Sequence, residues 1–560
     1  MEQAKTKKRS SKGGAAEHDV IILGAGIAGS MLGAILARHG AKTLLIDAGA
    51  HPKFAVGESM VPYTLLTLRS VSRRYDVPEI ATLSSFDDCM KNINSSFGWK
   101  KNFGFIRHEE GQEPNWWEAT QFNTPGVFNK TGHLYRQDTD AHLFNVAVKY
   151  GAEPLLGYLV SEVDIDDDRV AVRGSDGSEH TARYLVDASG FRSPVAEKFG
   201  LREQPSRLRH HSRSIFSHMI GVKPSDDVFW HSDAQRPPVR WHDGTMHHLF
   251  DRGWFWVIPF NNNPHSSNPL CSVGVTMDER VYPKPDDMTA EEEFWSWVDK
   301  FPAVRRQFAE ARSVREWVST GRLQYSATSS VGPRWCLMSH AAGFIDPLFS
   351  RGISNTAEVI NALSWRLLAA LRDDEFTRER FEYVERLEQG LLDFNDALVR
   401  AAFISFDHYE LWSAVFRIWA YGSVVGANRV QQAMTAAHRT RSDEPFLALE
   451  DPPHVGLWWP DHDEYRRVFD LMVQQTDAVD AGTVSPDQAA ETLFAELKAA
   501  DWMPPFMFPD VEHRFLRPTS KTLARMFSWA AFQAPAQVRG LFLGQAQEVG
   551  RSLAVGRKPF

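Results

Sequence analysis

Asp19-Val20-Ile21-Ile22-Leu23-Gly24-Ala25-Gly26-Ile27-Ala28-Gly29 is the stretch that decides the fold. Its first five residues form a short apolar, β-branched run, the pattern of a buried parallel strand. The run leads directly into a G-x-G-x-x-G turn, and a helix is expected from Ser30 to His39, ending at Gly40. A second apolar run, Lys42-Thr43-Leu44-Leu45-Ile46, stops at Asp47 and completes a β-α-β unit. In such a unit Gly24 permits the tight turn, Gly26 lets the backbone approach a pyrophosphate, and Gly29 lets helix and strand pack closely. Ile27 and Ala28 sit at the helix N-terminus, which attracts an anion. Asp47 stands where a carboxylate can accept hydrogen bonds from an adenosine ribose. The competing reading is a glycine turn without a ligand. The strand before it, the helix after it, Gly33 within the helix and Asp47 beyond all argue against that.

Two distant segments narrow the dinucleotide to FAD. Val186-Asp187-Ala188-Ser189-Gly190 is an apolar strand ending in a small-residue turn, a feature that resembles FAD-binding hydroxylases. Gly343-Phe344-Ile345-Asp346-Pro347-Leu348-Phe349-Ser350-Arg351-Gly352 precedes a helix expected from Ile353 to about Leu371. A second helix N-terminus suits the negative charge that gathers on the pyrimidine edge of a reduced flavin, which a nicotinamide would not need.

At 560 residues the chain is too long for one core, and two or three modules are expected. Its 43% apolar and 24% charged residues place it among ordinary globular proteins. The net charge of -9 argues against nucleic acid as a partner. Cys89, Cys271 and Cys336 are far apart and lack metal-ligand spacing, so no zinc or other metal site and no disulfide scaffold is expected. That usage fits a reducing cytoplasm. The basic stretch Lys5 to Gly14 has no apolar segment behind it and reads as a disordered lead-in covering 1–17. No run reaches the roughly eighteen apolar residues of a membrane span. The nearest, Ala401 to Val430, is broken by Asp407, His408, Glu410 and Arg417, so no membrane association is expected.

The predicted fold is α/β. A Rossmann-like FAD-binding module spans 18–204 and 324–372, a β-sheet region facing the substrate spans 205–323, and a helical domain spans 373–560. Short strands are expected at Tyr158-Leu159-Val160, Arg169 to Val172 and Tyr184 to Asp187. The polar, Pro-rich stretch from Arg441 to Asp463 reads as a connector. Trp412, Phe416 and Trp419 share one helical face, which by itself indicates core.

Trp254-Phe255-Trp256-Val257-Ile258-Pro259 would by alternation alone be a core strand. Joined to a flavin fold and to Val56-Gly57-Glu58-Ser59, it resembles the W-x-W-x-I-P signature of the flavin-dependent halogenases. Arg136, Asp140 and Leu143 resemble the R-x-x-x-D-x-x-L element of FAD hydroxylases and halogenases, whose arginine lies beside the cofactor. The bland alternative is a surface i,i+4 ion pair. Gly98-Trp99-Lys100-Lys101-Asn102-Phe103-Gly104-Phe105 resembles the lysine element of pyrrole and phenol halogenases. Lys91, eight residues before Trp99, resembles the tryptophan-halogenase spacing instead. Lys100 is favoured because more of its local motif matches.

The resemblance covers almost the whole chain and implies FAD-fold architecture of the aromatic hydroxylase and halogenase type. It implies reduced FAD delivered by a separate flavin reductase, molecular oxygen, and chloride or bromide as reactants. A flavin hydroperoxide would oxidise chloride held at Ser350, Arg351 and Gly352. Hypochlorous acid would then pass a wall made by Trp254, Trp256 and Pro259, and meet the catalytic lysine, which either hydrogen-bonds it or forms a chloramine. Glu58 is a candidate for coupling the two sites, or else merely holds its turn. Flavin contacts are expected from Gly24, Gly26, Ile27, Ala28, Gly29, Asp47, Ser59, Arg136, Asp187, Asp346, Gly352 and Ile353. Ser339-His340 stands where hydroxylases carry Gly-Asp, which implies weaker flavin contacts there. Phe349 stands where tryptophan halogenases carry glutamate, which makes free tryptophan a poor substrate. The expected substrate is a small electron-rich aromatic ring, the pyrrole of an aminophenylpyrrole as in pyrrolnitrin biosynthesis. An FAD hydroxylase reducing its flavin with NAD(P)H shares this fold and is the alternative; a flavin-binding scaffold without turnover is a third reading.

Overall fold

The opening apolar run forms the strand His18–Leu23, buried between parallel neighbours Thr43–Asp47 and Glu179–Asp187. The computed structural model describes residues 16–123, 131–229, 232–517 and 519–544. Residues 1–15 of the expected lead-in, and 545–560, lie outside the described residues. The first sheet continues on one side to Trp335–Leu337 and Val331–Gly332, and on the other to Glu153–Leu156. The helix between the first two strands is Ile27–Arg38, three residues earlier than expected. Gly26 is itself the N-cap in extended conformation, so the helix starts directly behind the turn. The expected strand at 158–160 is displaced. Gly157 adopts φ +71° and divides the chain into Glu153–Leu156 and Val160–Ile165.

The second sheet is wider than the expected 205–323. Its centre is Ser212–Ile220, Cys271–Asp278, Gly253–Pro259 and Thr245–Phe250. It also takes in Asn102–Arg107, Ala119–Asn123 and the short strand Phe515–Leu516 from elsewhere in the chain. Period-2 alternation in Gly253–Pro259 sends Trp254, Trp256 and Ile258 to one core, with Phe103, Phe105, Leu348 and Phe349. Phe255 and Val257 go to the opposite core, under the helices Ala290–Asp299 and Pro302–Phe308.

Beyond residue 352 long helices dominate: Gly352–Asp373, Arg378–Ser405, Tyr409–Thr440, Asp463–Asp480 and Pro486–Ala499. The helix Tyr409–Thr440 packs its aromatic face onto the second sheet, with Trp412 5.1 Å from Phe105 and Trp419 5.6 Å from Phe103. The connector at 441–463 carries the short helix Glu444–Leu447 and the buried Trp458 and Trp459. Among the described residues no helix is long and apolar enough to cross a membrane, and no group of three or more His, Cys, Asp or Glu could hold a metal ion.

Candidate active site

At the dinucleotide end Gly24 and Gly29 leave no room for a side chain. Gly24 has φ +94°, and a Cβ there would lie 2.5 Å from the Ala188 carbonyl oxygen. A Cβ on Gly29 would lie 1.9 Å from the Gly24 carbonyl oxygen. At Gly26, by contrast, a Cβ would meet nothing closer than Asp140 Oδ2 at 3.9 Å. No side chain caps this helix and no acid occupies its first turn, so the first amides, at Ile27, Ala28 and Gly29, are free of a competing carboxylate. Asp47 accepts from the Ala25 amide at 2.7 Å and the Gly49 amide at 2.8 Å, and pairs with Lys53. Burial alone would raise its pKa, but the Lys53 and backbone hydrogen bonds outweigh that and hold the carboxylate below its ordinary range. This cradle fits the pyrophosphate and ribose of FAD.

Arg136 opens the helix Arg136–Tyr150 and forms a fork onto Asp140, at 2.8 and 2.9 Å. The pair is buried, not a surface pair, and its third nitrogen donates to the Val56 carbonyl at 2.6 Å. The ion pair therefore fixes the turn that carries Glu58 and Ser59.

Two of the expected cofactor residues are directed elsewhere. Asp187 is fully buried, and its carboxylate accepts from the Ser189 amide and hydroxyl, the Ser193 hydroxyl and the Val195 amide. It shapes its own turn, with no lone pair left facing a ligand. Asp346 accepts from Ser212 Oγ at 2.8 Å and the Leu348 amide at 3.0 Å, which ties the second sheet to the 343–352 loop. The Arg351 side chain also turns away: it stacks 3.5 Å over Trp458 and donates to the Gly456 carbonyl. The Ser350 amide donates to the Pro347 carbonyl at 3.0 Å, so of the expected halide residues only the backbone of Arg351 and Gly352 is left as a candidate donor. Gly352 and Ile353 begin the helix Gly352–Asp373, which again lacks a side-chain cap and a first-turn acid. At Ser339 the amide donates to Glu388 Oε1 at 2.9 Å, so a carboxyl group from the helix Arg378–Ser405 supports this turn in place of the absent aspartate.

The two lysines part company. Lys91 is exposed in the last turn of the helix Phe86–Asn92. Lys100 is 2% exposed, on the strand Gly98–Lys100, which pairs antiparallel with Thr131–His133. Alternation places Trp99 on the outer side and Lys100 on the inner. Gly98 allows this strand to dock on the tryptophan strand, since a Cβ there would lie 2.2 Å from the Pro259 carbonyl oxygen. Asn262 pins the same contact, accepting from the Trp99 amide at 2.7 Å and donating to its carbonyl at 2.8 Å. Lys100 Nζ donates to Ser59 Oγ and lies 4.3 Å from the Phe103 ring centroid. Burial alone pushes its pKa well below the ordinary lysine value. Ser350 Oγ also donates to Ser59 Oγ, at 3.2 Å. Residues 59, 100 and 350 thus meet at one serine.

Trp254 and Trp256 are buried with ring centroids 5.7 Å apart. The Trp256 indole donates to Ser272 Oγ at 3.3 Å, and Ser272 donates to Glu58 Oε2 at 3.3 Å. The other Glu58 oxygen lies 3.1 Å from His218 Nε2. Glu58 therefore reaches the tryptophan strand through one hydroxyl. Gly274 makes room for the Trp256 ring, since a Cβ there would lie 2.2 Å from it. Phe349 is buried 4.8 Å from Trp419, with no carboxylate at that position. His133, Ser272 and Gly274 carry no motif of their own. Strand register alone brings them here, and only the alternation within Gly253–Pro259 hinted at it.

Comparison with known proteins agrees with this geometry. A family model described as tryptophan halogenase matches residues 119–399. Tetracycline 7-halogenase of Kitasatospora aureofaciens is 54% identical over 541 residues, 96% of this chain and 97% of that protein. Monodechloroaminopyrrolnitrin halogenase PrnC of Pseudomonas fluorescens is 44% identical over 533 residues, 94% of this chain and 93% of that protein. The expected nearness to the pyrrolnitrin enzyme is therefore surpassed by the tetracycline enzyme. The crystal structure of halogenase PltM with phloroglucinol and FAD superposes with a TM-score of 0.86 at 33% identity, over 89% of this chain and 99% of that one. A nucleotide cradle, a paired-tryptophan strand and near full-length likeness to halogenases lead to one conclusion: this chain belongs to the flavin-dependent halogenases, oxidoreductases that use FAD, oxygen and halide on aromatic substrates.

Proposed function

We propose that this halogenase chlorinates or brominates an electron-rich phenolic ring, with Lys100 as the catalytic residue that presents the oxidised halogen. The observation that carries this reading is a buried amine, unpaired with any carboxylate among the described residues, hydrogen-bonded where the 57–59 and 350–352 loops meet. Bound FAD, delivered reduced by a separate flavin reductase in the cytoplasm, supplies the electrons with which oxygen converts halide to hypohalous acid. Gly24, Gly26, Gly29 and the first helix would hold its pyrophosphate, and Asp47 its ribose. The backbone at Arg351 and Gly352 would hold the halide. Trp254 and Trp256 would separate the bound flavin from the ring and exclude water between them. Lys100 Nζ, its pKa pushed well below the ordinary lysine value by burial, holds the hypohalous acid by hydrogen bonding and orients its halogen toward the ring carbon.

The substrate class is supported by the 54% identity with a tetracycline halogenase. The indole N–H groups of Trp254, Trp412 and Trp419 are buried with no hydrogen-bond partner. Their rings belong to the aromatic core around Phe103, Phe105 and Phe349. The pyrrole of an aminophenylpyrrole is the second reading, favoured by the Lys100 element and the 44% identity with PrnC. The test offers chemically reduced FAD, oxygen and chloride or bromide with fused phenols, phenylpyrroles and tryptophan. Halogenated fused phenol is expected; halogenated phenylpyrrole alone would select the second reading, and hydroxylated product would overturn both.

A Gly274→Ala change tests the wall. The added methyl must displace the Trp256 ring, and a shift of about 1 Å costs on the order of 10²-fold in rate. Product formed per reduced FAD consumed is expected to fall, while FAD affinity stays. Unaltered coupling would show that the Trp256 position does not matter.

A further inference from the structure

A chain of polar groups runs from Lys100 into the end of the tryptophan strand. Lys100 donates to Ser59; Ser59 Oγ and Thr245 Oγ1 lie 3.0 Å apart; Thr245 Oγ1 and His133 Nε2 lie 2.9 Å apart. At the far end His133 Nδ1 lies 2.9 Å from the Pro259 carbonyl oxygen. A carbonyl can only accept, so Nδ1 carries the ring proton and Nε2 is an acceptor. Burial, with a smaller contribution from Lys100, drives the His133 pKa down to about 3, so the ring is neutral. Thr245 therefore donates to His133 and must accept from Ser59. Ser59, its single proton committed to Thr245, keeps its lone pairs for Lys100 and Ser350. Every link has one direction.

We propose that Thr245 and His133 are positioning residues: they fix Ser59 as an acceptor, so that Lys100 Nζ donates to it and leaves its own lone pair to accept the O–H of the hypohalous acid. This rests on Lys100 being the catalytic amine. Without Thr245 the Ser59 hydroxyl is free to turn and donate to Nζ, which caps that lone pair. The other titratable groups facing Lys100 are His133 on its partner strand and His247 on Thr245–Phe250, both neutral because buried. Nothing charged replaces Ser59 as its partner.

Thr245→Val keeps the size of the residue and removes only the link; Thr245→Ser keeps the link. In the chlorination assay Thr245→Val is expected to lower kcat by about 10–100-fold with the aromatic KM unchanged. The acid limb of its kcat profile should move to lower pH, because a Ser59 that donates to Nζ favours the neutral amine. Hypohalous acid release, read with a diketone trap, should stay at the wild-type level, and Thr245→Ser should restore kcat and profile. If Thr245→Val does not fold, His133→Asn takes its place, keeping a donor to Pro259 while its shorter side chain puts no acceptor at the position of Nε2. Wild-type kcat and acid limb in these variants, with Lys100→Met inactive in the same assay, would overturn the proposal. A chlorinating Lys100→Met would overturn the Lys100 reading itself.

Discussion

Lys100→Met is expected to lower ring chlorination by about 10²–10⁴-fold or more while leaving FAD binding intact. The methionine fills a similar volume against Phe103, but has no N–H to donate to Ser59 and no amine nitrogen to hold the hypohalous acid. The change should also stabilise the fold, and the sign follows from linkage. An unfolded lysine takes up a proton below about pH 10.4. In the folded chain burial holds that pKa well lower, so between the two values the native state binds fewer protons than the unfolded one. The resulting cost is absent above about pH 10.4, grows as pH falls through this window and levels off below the folded pKa. Thermal melts should therefore show Lys100→Met above wild type at neutral pH, with the gap closing toward pH 10. A lower melting temperature at neutral pH would mean that Lys100 is a stabilising residue and would count against a reactive amine.

Gly24→Ala is expected to abolish FAD binding. Its φ of +94° costs a non-glycine residue about 1–3 kcal/mol. The new methyl would also sit 2.5 Å from the Ala188 carbonyl oxygen, a backbone atom that cannot swing aside. Relief requires Leu23–Gly24 and Asp187–Ala188 to separate, and these are the strand ends over which the pyrophosphate is expected. Flavin fluorescence titration checks it directly: no saturable binding is expected, alongside a lower melting temperature. Binding at wild-type affinity would show that the cofactor lies elsewhere.

The parts of this molecule that were legible beforehand are those in which a local pattern carries the whole constraint. The β-α-β unit around Gly24 was readable because strand, turn and helix are contiguous. Lys100 could be favoured over Lys91 from its flanking residues, but its burial and its bond to Ser59 depend on how Gly98–Lys100 docks on Pro259, a contact between segments far apart in sequence. The same reason hid Thr245 and His133, each an unremarkable polar residue inside a strand. Asp187 and Asp346 misled because a carboxylate after a strand reads equally well as a ligand contact or as a turn anchor. The hydrogen bonds decide for the anchor in both. Trp412, Phe416 and Trp419 were rightly read as one buried face, but which surface that face covers is a tertiary fact. It covers the strand Asn102–Arg107, beside the proposed catalytic lysine.

The central claim is that oxidising power drawn from oxygen passes to a halide and reaches the ring through Lys100. One experiment addresses it most directly: wild type, Lys91→Met and Lys100→Met, each with reduced FAD, oxygen, chloride and a fused phenol, plus a diketone trap for free hypochlorous acid. Wild type and Lys91→Met are expected to chlorinate the phenol, whereas Lys100→Met should chlorinate only the trap. Chlorinated phenol from Lys100→Met at the wild-type rate, or hydroxylated phenol from the wild type, would contradict the account.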